Sequence, residues 1–442
     1  MWLCFALFLG AVATCLATGH SLIWALLAGL VLFSLLGLRR GFGVRALAAM
    51  AWAEGKKALI VVPVFLLIGT VTALWRASGT IAFFLYYGLR SIPPASFLLM
   101  AFLLSAALSF ALGTSFGVVG TAGVVLITLA RSGGVDLAVT AGAVVSGAYF
   151  GDRCSPMSSC AALVAAVTGT ELYRNVREML RTALLPTVLT AALFALLSVR
   201  RHMAAGDEAV LEFLRQGFAL RWLVLLPAAL MLALPLLRVP VKAAMAASAA
   251  AALALAILLQ GLSPWAAVRA ALLGYVPAGA ELRAILSGGG LVSMLPASAT
   301  VFLTSLYAGI LDGTGALAPF QHAAERLSDR AGLFPAAAAV SLLSVMVFCN
   351  QSVMVLLDEQ LLRSSYERRR ASRETLAMDI ANSGVTLAGL VPWSIACSLP
   401  LSMLGVGMEA IPWCALLYLI PLCYLLTRRY FLAGQEEVPS RA

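Results

Sequence analysis

Residues 146–158 read Ser-Gly-Ala-Tyr-Phe-Gly-Asp-Arg-Cys-Ser-Pro-Met-Ser and interrupt a hydrophobic stretch long enough to cross a membrane. A second stretch of this kind is interrupted at residues 379–394, which read Asp-Ile-Ala-Asn-Ser-Gly-Val-Thr-Leu-Ala-Gly-Leu-Val-Pro-Trp-Ser. A broken helix frees backbone groups, which are tolerated at membrane depth only where they line a protein cavity. Paired breaks in the two halves of a chain therefore predict the binding site of a membrane transporter.

The composition excludes a soluble protein. Of the 442 residues, 62% are hydrophobic and 11% are charged, whereas about 25% of the residues of a soluble domain are charged. The net charge of +10 comes largely from Lys and Arg in short loops between apolar segments, where basic residues set the orientation in the membrane. We expect an all-α polytopic membrane protein with the lipid bilayer as its surroundings, no nucleic-acid partner and no cofactor, since the sequence carries no nucleotide-binding or zinc-protease motif.

The apolar segments predict about 10 transmembrane helices of roughly 20 residues each. Residues 95–131 and 334–362 carry small or polar residues at their midpoints, and we interpret them as re-entrant hairpins. Residues 135–167 and 376–404 are then the broken helices. Since the order of span, hairpin, broken helix and span occurs twice, we predict an inverted repeat. Its units are a first half (1–198), a linker (199–221), a second half (222–427) and a cytoplasmic tail (428–442).

The distribution of basic residues also predicts the topology. With the N-terminus inside, most Lys and Arg residues fall in cytoplasmic loops, as expected for a multi-pass protein. Both termini are then cytoplasmic. We expect the location to be a bacterial inner (plasma) membrane, and the sequence leaves a homodimer open.

Asp152 carries the central chemical prediction. A carboxylate near the middle of a membrane costs roughly 3 kcal/mol on insertion scales, so it tends to hold a proton or a cation. The hydroxyl groups of Ser155 and Ser158, with carbonyl groups freed by Pro156, suit a hard cation such as Na⁺. We predict that Asp152 binds either H⁺ or the transported Na⁺. The alternative is a structural ion pair with the adjacent Arg153.

The predicted hairpin tips carry polar residues that need partners in an apolar setting. These are Thr114 and Ser115 in the first tip and Asn350 and Gln351 in the second. Each pair either caps its turn or presents polar atoms to a transported ion or substrate. Both alternatives are left open by the sequence.

The second break offers Asn382 and Ser383 as further ligands. Asp379, three residues before Asn382, is either a second site carboxylate or an interfacial acid stabilised by the helix dipole. Acids near the ends of predicted spans are expected at the interface. Among these, Asp358 and Glu359 are predicted to pair with the arginines that follow them.

One motif points to a different class of protein. Gly113-Thr-Ser-Phe-Gly117 matches the GxSxG pattern of serine hydrolases, which requires a strand-to-helix turn and a histidine partner. The flanking segments are helical in pattern, and the three histidines lie in predicted loops or interfacial pieces. An intramembrane hydrolase is therefore a distant alternative.

Several motifs in order resemble the NhaC-type Na⁺/H⁺ antiporters of the ion-transporter superfamily. The resemblance rests on Gly113 to Gly117, Gly151 to Ser158, the Gly288-Gly-Gly-Leu-Val-Ser-Met run, Cys349 to Gln351, and Asn382 to Gly384 with Pro392-Trp393. It implies a secondary active antiporter that exchanges Na⁺ or Li⁺ for H⁺ by alternating access, and no enzyme.

The resemblance indicates the mechanism more specifically than the transported substrate, because the family includes a malate/lactate exchanger. The alternative function is therefore a Na⁺/H⁺-coupled organic-acid or amino-acid transporter. Many members carry an aspartate after the Ser-Pro-x-Ser run, where this chain has Ser159. Either the site binds one monovalent cation through Asp152 alone, or the chain has moved toward an organic substrate.

Overall fold

The computed structural model describes residues 2–18, 20–59, 62–91, 93–200, 208–237, 239–279, 282–283, 286–315 and 318–433. Helices dominate these ranges, where a single isolated bridge, between Tyr275 and Gly288, is the only β-type pairing. In chain order the helices are α1 (Trp2–Thr18), α2 (Leu22–Arg39), α3 (Val44–Leu59), α4 (Val62–Ala77), α5 (Thr80–Ser91), α6 (Phe97–Leu112), α7 (Ser115–Val118), α8 (Val124–Ser132), α9 (Leu137–Cys154), α10 (Ser159–Thr168), α11 (Leu172–Arg200) and α12 (Glu208–Gly217). They continue with α13 (Leu226–Leu236), α14 (Val241–Leu258), α15 (Pro264–Leu273), α16 (Leu295–Gly313), α17 (Ala318–Ala331), α18 (Leu333–Phe348), α19 (Gln351–Arg368), α20 (Arg373–Asn382), α21 (Gly384–Leu387), α22 (Ile395–Leu404) and α23 (Ala415–Ala433).

The helices fit a polytopic membrane protein. Among the described residues, three helical stretches are long and apolar enough to cross a membrane, and the total reaches six if each of three bent helix pairs forms one span. Large apolar side chains such as Trp24, Leu258 and Leu426 are exposed on the outside, as expected where lipid is the neighbour. The all-α, polytopic fold class is confirmed, and the number of 10 spans stays a prediction.

The second half of the chain repeats the elements of the first at a constant spacing of 236 residues. Helices α6 and α10 begin and end 236 positions before α18 and α22, respectively. The hairpin tips follow the same spacing, since Gly113 (φ 68°) and Cys349 (φ 55°) both adopt left-handed backbone. So do the serines that start α10 and α22, Ser158 and Ser394. The two copies in the predicted duplication therefore align without any insertion from the hairpin tip to the end of the broken helix.

Each hairpin tip packs against the break of the broken helix in its own half. A Cβ atom on Gly113 would collide with the backbone of Met157 and Ser158, so only glycine allows this approach. In the second half, the amide of Ile395 donates a hydrogen bond of 2.8 Å to the carbonyl oxygen of Cys349. A hairpin tip and a helix break are therefore in contact in each half of the chain, and we call each such pair a module.

Helix α9 is held against α6 by very close backbone contact. A Cβ atom on Gly151 would overlap backbone atoms of Ser109 and Phe110, and the Ser109 hydroxyl donates to the carbonyl oxygen of Ala148. Small residues at such contacts are typical of membrane helix packing. This packing fixes the position of the last turn of α9, where Asp152 lies, relative to α6.

The predicted domain limits fall partly outside the described residues. The predicted linker includes residues 201–207, and the predicted tail includes residues 434–442, none of which is described. Within the described part, α11 continues to Arg200, α12 covers Glu208–Gly217, and α23 runs through Arg428 to Ala433.

Candidate functional site

Asp152 lies in the last turn of α9, immediately before the first break. Its side chain is buried, with 7% of the residue exposed, and the carboxylate approaches the hydroxyl and the backbone N–H of Ser115 at the tip of the first hairpin. The structure therefore brings two of the predicted site residues together. A carboxylate and a hydroxyl at a buried helix break are suitable ligands for a proton or a small hard cation.

The break of α9 frees backbone carbonyl groups in the residues that follow Asp152. Pro156 has no N–H to continue the helix. The next two amides bond elsewhere, since the amide of Met157 donates to the Ser155 hydroxyl oxygen (3.1 Å) and that of Ser158 donates to the Ser155 carbonyl oxygen (3.1 Å). The carbonyl groups of Arg153 and Cys154 thus lose their helical donors.

Ser158 holds the two halves of this broken helix together. Its hydroxyl oxygen accepts hydrogen bonds from the amides of Cys160 (3.1 Å) and Ala161 (3.2 Å), and its hydroxyl donates to the carbonyl oxygen of Asp152. Ser394 does the same in the second half, donating to the carbonyl oxygen of Ala388 at 2.5 Å. Asp152 therefore corresponds to Ala388, and the second break carries no carboxylate at the equivalent position.

Arg153 turns away from Asp152 and links the two broken helices. Its Nε donates to the carbonyl oxygen of Ala381 (3.1 Å), and its Nη2 donates to the amide oxygen of Asn382. Further bonds reach the carbonyl oxygen of Met179 (3.0 Å) and the hydroxyl of Thr182 (2.7 Å), both on α11. The alternative of an ion pair between Asp152 and Arg153 is wrong, because every partner of this guanidinium is neutral.

The polar residues of the second break have partners within the protein. Asn382 accepts from Arg153 and donates to the carbonyl oxygen of Met378 at 2.8 Å. The Ser383 hydroxyl donates to the carbonyl oxygen of Asp379 at 2.6 Å and lies 3.2 Å from the Ser341 hydroxyl on α18. Their roles as ion ligands stay predictions.

The hairpin tips show capping in both halves. Thr114 accepts from the amide of Gly117 (3.3 Å), and Asn350 accepts from the amides of Ser352 (2.9 Å) and Val353 (3.3 Å). For Thr114 and Asn350 the structure therefore shows the first of the two alternatives, which is capping of the turn. Gln351 instead donates from Nε2 to the carbonyl oxygen of Val385 at 2.9 Å, so it connects the second tip to the second broken helix.

A cavity of about 440 Å³ lies beside the second hairpin tip. Its polar lining includes the carboxylates of Glu54 and Asp312 and the amides of Asn350, Gln351 and Gln360. Phe116, next to Ser115, forms part of the wall. Glu54 is not among the residues predicted from sequence, because only the packing of α3 against α16 places this acid beside the cavity.

Asp379 contacts neither Asp152 nor Ser115. It is fully buried, and its carboxylate accepts from Arg428 (2.5 Å from Nη2) and from the hydroxyls of Tyr366 (2.5 Å) and Tyr424 (2.9 Å). The helix dipole is thus not its main partner. Its contacts tie α20 to α19 and α23.

Two acids on α19 behave differently from each other. Glu359 forms the predicted pair with Arg363, at 2.5 Å. The prediction that Asp358 is interfacial and paired with an arginine is wrong, because Asp358 is fully buried and is hydrogen-bonded to the Ser341 hydroxyl. Both acids are buried, and sequence could not separate them, since only the helical phase of α19 decides which neighbouring helix and which partner each one meets.

A duplicated module of helical turn and broken helix, with a buried carboxylate at the break, defines a membrane transporter. The model of the Na⁺/H⁺ antiporter family matches residues 1–165 and 147–428. The chain therefore belongs to the Na⁺/H⁺ antiporter family, and the resemblance seen in its motifs is confirmed.

Curated relatives agree over most of the chain. It is 28% identical over 394 residues to the Na⁺/H⁺ antiporter NhaC of Alkalihalophilus pseudofirmus, covering 85% of both chains. It is 30% identical over 372 residues to an uncharacterized Na⁺/H⁺ antiporter of Haemophilus influenzae, covering 81% of this chain and 79% of the relative. It is 29% identical over 367 residues to the malate-2H⁺/Na⁺-lactate antiporter of Bacillus subtilis, covering 81% and 78%.

Proposed function

We propose that this protein exchanges Na⁺, or Li⁺, for H⁺ across the membrane, and that Asp152 is the group for which the two ions compete. The observation that carries this proposal is the buried carboxylate of Asp152 at the first break, facing Ser115. The Na⁺ site consists of this carboxylate, the Ser115 hydroxyl and carbonyl oxygens freed by the break, with Ser155 beside them. Oxygen ligands of this kind suit a hard monovalent cation.

Exchange follows from the cost of a bare carboxylate in the membrane. An empty, ionised Asp152 is expensive to carry through the low-dielectric interior, so the carrier changes sides only with H⁺ or Na⁺ bound. The two ions cannot occupy the same oxygens together. The two modules then alternate access to this site, as expected for repeats that move against each other.

The electrostatics favour a cation over an organic anion. All donor nitrogens of Arg153 point at protein acceptors, with the fifth N–H directed at the sulfur of Cys154, so the buried guanidinium offers no free donor for a substrate carboxylate. The cavity beside the second hairpin tip is lined by the acids Glu54 and Asp312 and, among the described residues, by no basic one, a lining that favours cations over anions. Organic-acid exchange, suggested by the Bacillus subtilis relative, is therefore the second candidate.

The test is the collapse of a preformed pH gradient in proteoliposomes on addition of Na⁺, Li⁺, K⁺, malate or lactate. We expect Na⁺ or Li⁺ alone to collapse the gradient with wild-type protein and to have no effect with Asp152→Asn. Asp136→Asn is the matched control, because it makes the same change at the exposed start of the same helix and asparagine also caps helices well. A response to malate or lactate with none to Na⁺ alone would favour the second candidate.

We also propose the topology predicted from the basic residues: a multi-pass protein of a bacterial inner membrane with both termini in the cytoplasm. The distribution of Lys and Arg supports this orientation. Cysteine labelling from outside intact cells, at single positions near each terminus, tests it. We expect protection at both ends.

A further inference from the structure

Asp358 is a second buried carboxyl group, and it is separate from the proposed Asp152 site. It lies on α19 in the second half, where the repeat spacing pairs it with Ala122 of the first half. The residue is 0% exposed. It abuts the second break, because a Cβ atom on Gly384 would lie 3.0 Å from its Oδ2.

The surroundings of Asp358 are hydroxyl groups. Oδ2 is hydrogen-bonded to the Ser341 hydroxyl, and Ser344 also approaches the carboxyl group. Oδ1 is buried with no hydrogen-bond partner. Burying a carboxylate oxygen without a hydrogen-bond partner is costly. Burying the carbonyl oxygen of a neutral carboxylic acid in the same way costs less.

The number of protons available for the hydrogen bonds between Asp358, Ser341 and Ser383 also indicates that Asp358 is protonated. The Ser383 hydroxyl donates to the carbonyl oxygen of Asp379 (2.6 Å), so its proton is used. The contact of 3.2 Å between the Ser341 and Ser383 hydroxyls then needs the proton of Ser341. If Ser341 donates to Ser383, the proton between Ser341 and Asp358 must come from the carboxyl group. Every hydrogen bond in the chain is satisfied only when Asp358 is protonated.

No cation compensates a charge on Asp358 within the ranges that the structure describes. Helices α10, α18 and α21, which pack against α19, carry no charged residues. The charged groups of the other neighbours and of α19 itself have ion pairs elsewhere or lie toward the helix ends. They are Glu325, Arg326, Asp329 and Arg330 on α17, Arg373, Glu374 and Asp379 on α20, and Glu359, Arg363, Glu367 and Arg368 on α19.

We propose that Asp358, with Ser341 and Ser383, forms a second proton-binding site, which loads and releases H⁺ as the second broken helix moves. Movement at the break between α20 and α21 separates Ser383 from Ser341, removes the acceptor that completes the hydrogen-bond chain and exposes the carboxyl group. This inference rests on the proposed H⁺ exchange for its role in the cycle. The binding of the proton itself does not.

Infrared difference spectroscopy over a pH titration tests proton binding without transport. In the Asp152→Asn variant, reconstituted in lipid, we expect a C=O stretch of a protonated carboxylic acid that is lost at high pH. The double variant Asp152→Asn/Asp358→Asn should lack it. A band that persists in the double variant, or one absent from the single variant, would overturn the proposal. Ser341→Ala keeps the acid and should shift the frequency of this band, which covers the case in which Asp358→Asn fails to fold.

The coupling ratio tests whether this proton is transported. The membrane potential at which exchange reverses, measured with fixed Na⁺ and H⁺ gradients, gives the number of H⁺ per Na⁺. We expect two H⁺ per Na⁺ in the wild type and in the neighbouring Glu359→Gln, and one H⁺ per Na⁺ in Asp358→Asn, whose exchange is then electroneutral and no longer responds to the membrane potential. A wild-type ratio in Asp358→Asn would contradict transport through this site. Failure of the Na⁺/H⁺ proposal shows instead as no Na⁺ response in the wild type.

Discussion

Replacing Arg153 with lysine should loosen the connection between the two broken helices. The guanidinium donates from three nitrogens to separate acceptors, Ala381 through Nε, Met179 through Nη1, and Asn382 with Thr182 through Nη2. The single nitrogen of lysine can replace one of these three positions. Interhelical hydrogen bonds in membranes contribute about 0.6 kcal/mol on average and about 1.7 kcal/mol at most. Two lost positions therefore predict a decrease of about 1 to 3 kcal/mol in the free energy of unfolding.

The assay is equilibrium unfolding in mixed detergent micelles with increasing SDS. Arg181→Lys is the control, because Arg181 lies on the exposed side of α11 and pairs with Glu178 on the same helix, so a change below about 0.5 kcal/mol is expected. A double-mutant cycle with Asn382→Ala should give a coupling energy of about 1 kcal/mol. Arg153→Lys with wild-type stability, or additive effects in the cycle, would refute the argument that this arginine joins the modules.

Two further substitutions test the packing around the breaks. In Gly151→Ala the added methyl group collides with the backbone of α6, which cannot rotate away, so we expect the free energy of unfolding in the same SDS titration to fall by about 3 kcal/mol or more. In the control Gly10→Ala the methyl group meets nothing within 4 Å. This variant should be neutral or more stable by about 0.5–1 kcal/mol. Asp379→Asn leaves the largely buried Arg428 without its counter-charge, and because 18% of that side chain is exposed we expect a loss near the lower end of the range for buried pairs, about 3 kcal/mol. Equal stability of the two glycine variants, or wild-type stability of Asp379→Asn, would contradict these contacts.

The sequence predicts the architecture well because membranes restrict the alternatives. Apolar length, helix breaks and glycine-rich turns each have few structural solutions in lipid, so the fold class and the two breaks follow directly. The pairing of Gly113 with Cys349 is harder to see. Its evidence is a shared left-handed backbone in two different residue types, and only coordinates show it.

The candidate site could be predicted from sequence where its chemistry depends on neighbouring residues in the chain. Asp152 stands out because a carboxylate next to a proline break has few structural explanations. The partners of Arg153 were not predictable, since they come from α11 and α20, which are distant in the chain. Asp358 and Glu359 are adjacent in sequence and both are buried, but Asp358 contacts a serine hydroxyl whereas Glu359 pairs with Arg363. That difference depends on how α19 is rotated against α18, which a single sequence does not specify.

The most direct test of the account is the release of protons when Na⁺ binds. Purified protein in weakly buffered detergent solution, with a pH-sensitive dye, is titrated with NaCl and, as a control for ionic strength, with choline chloride. Competition at Asp152 predicts that Na⁺ releases protons from the wild type and from Asp136→Asn, and none from Asp152→Asn. Equal proton release from Asp152→Asn and the wild type would show that the two ions do not compete at this carboxylate.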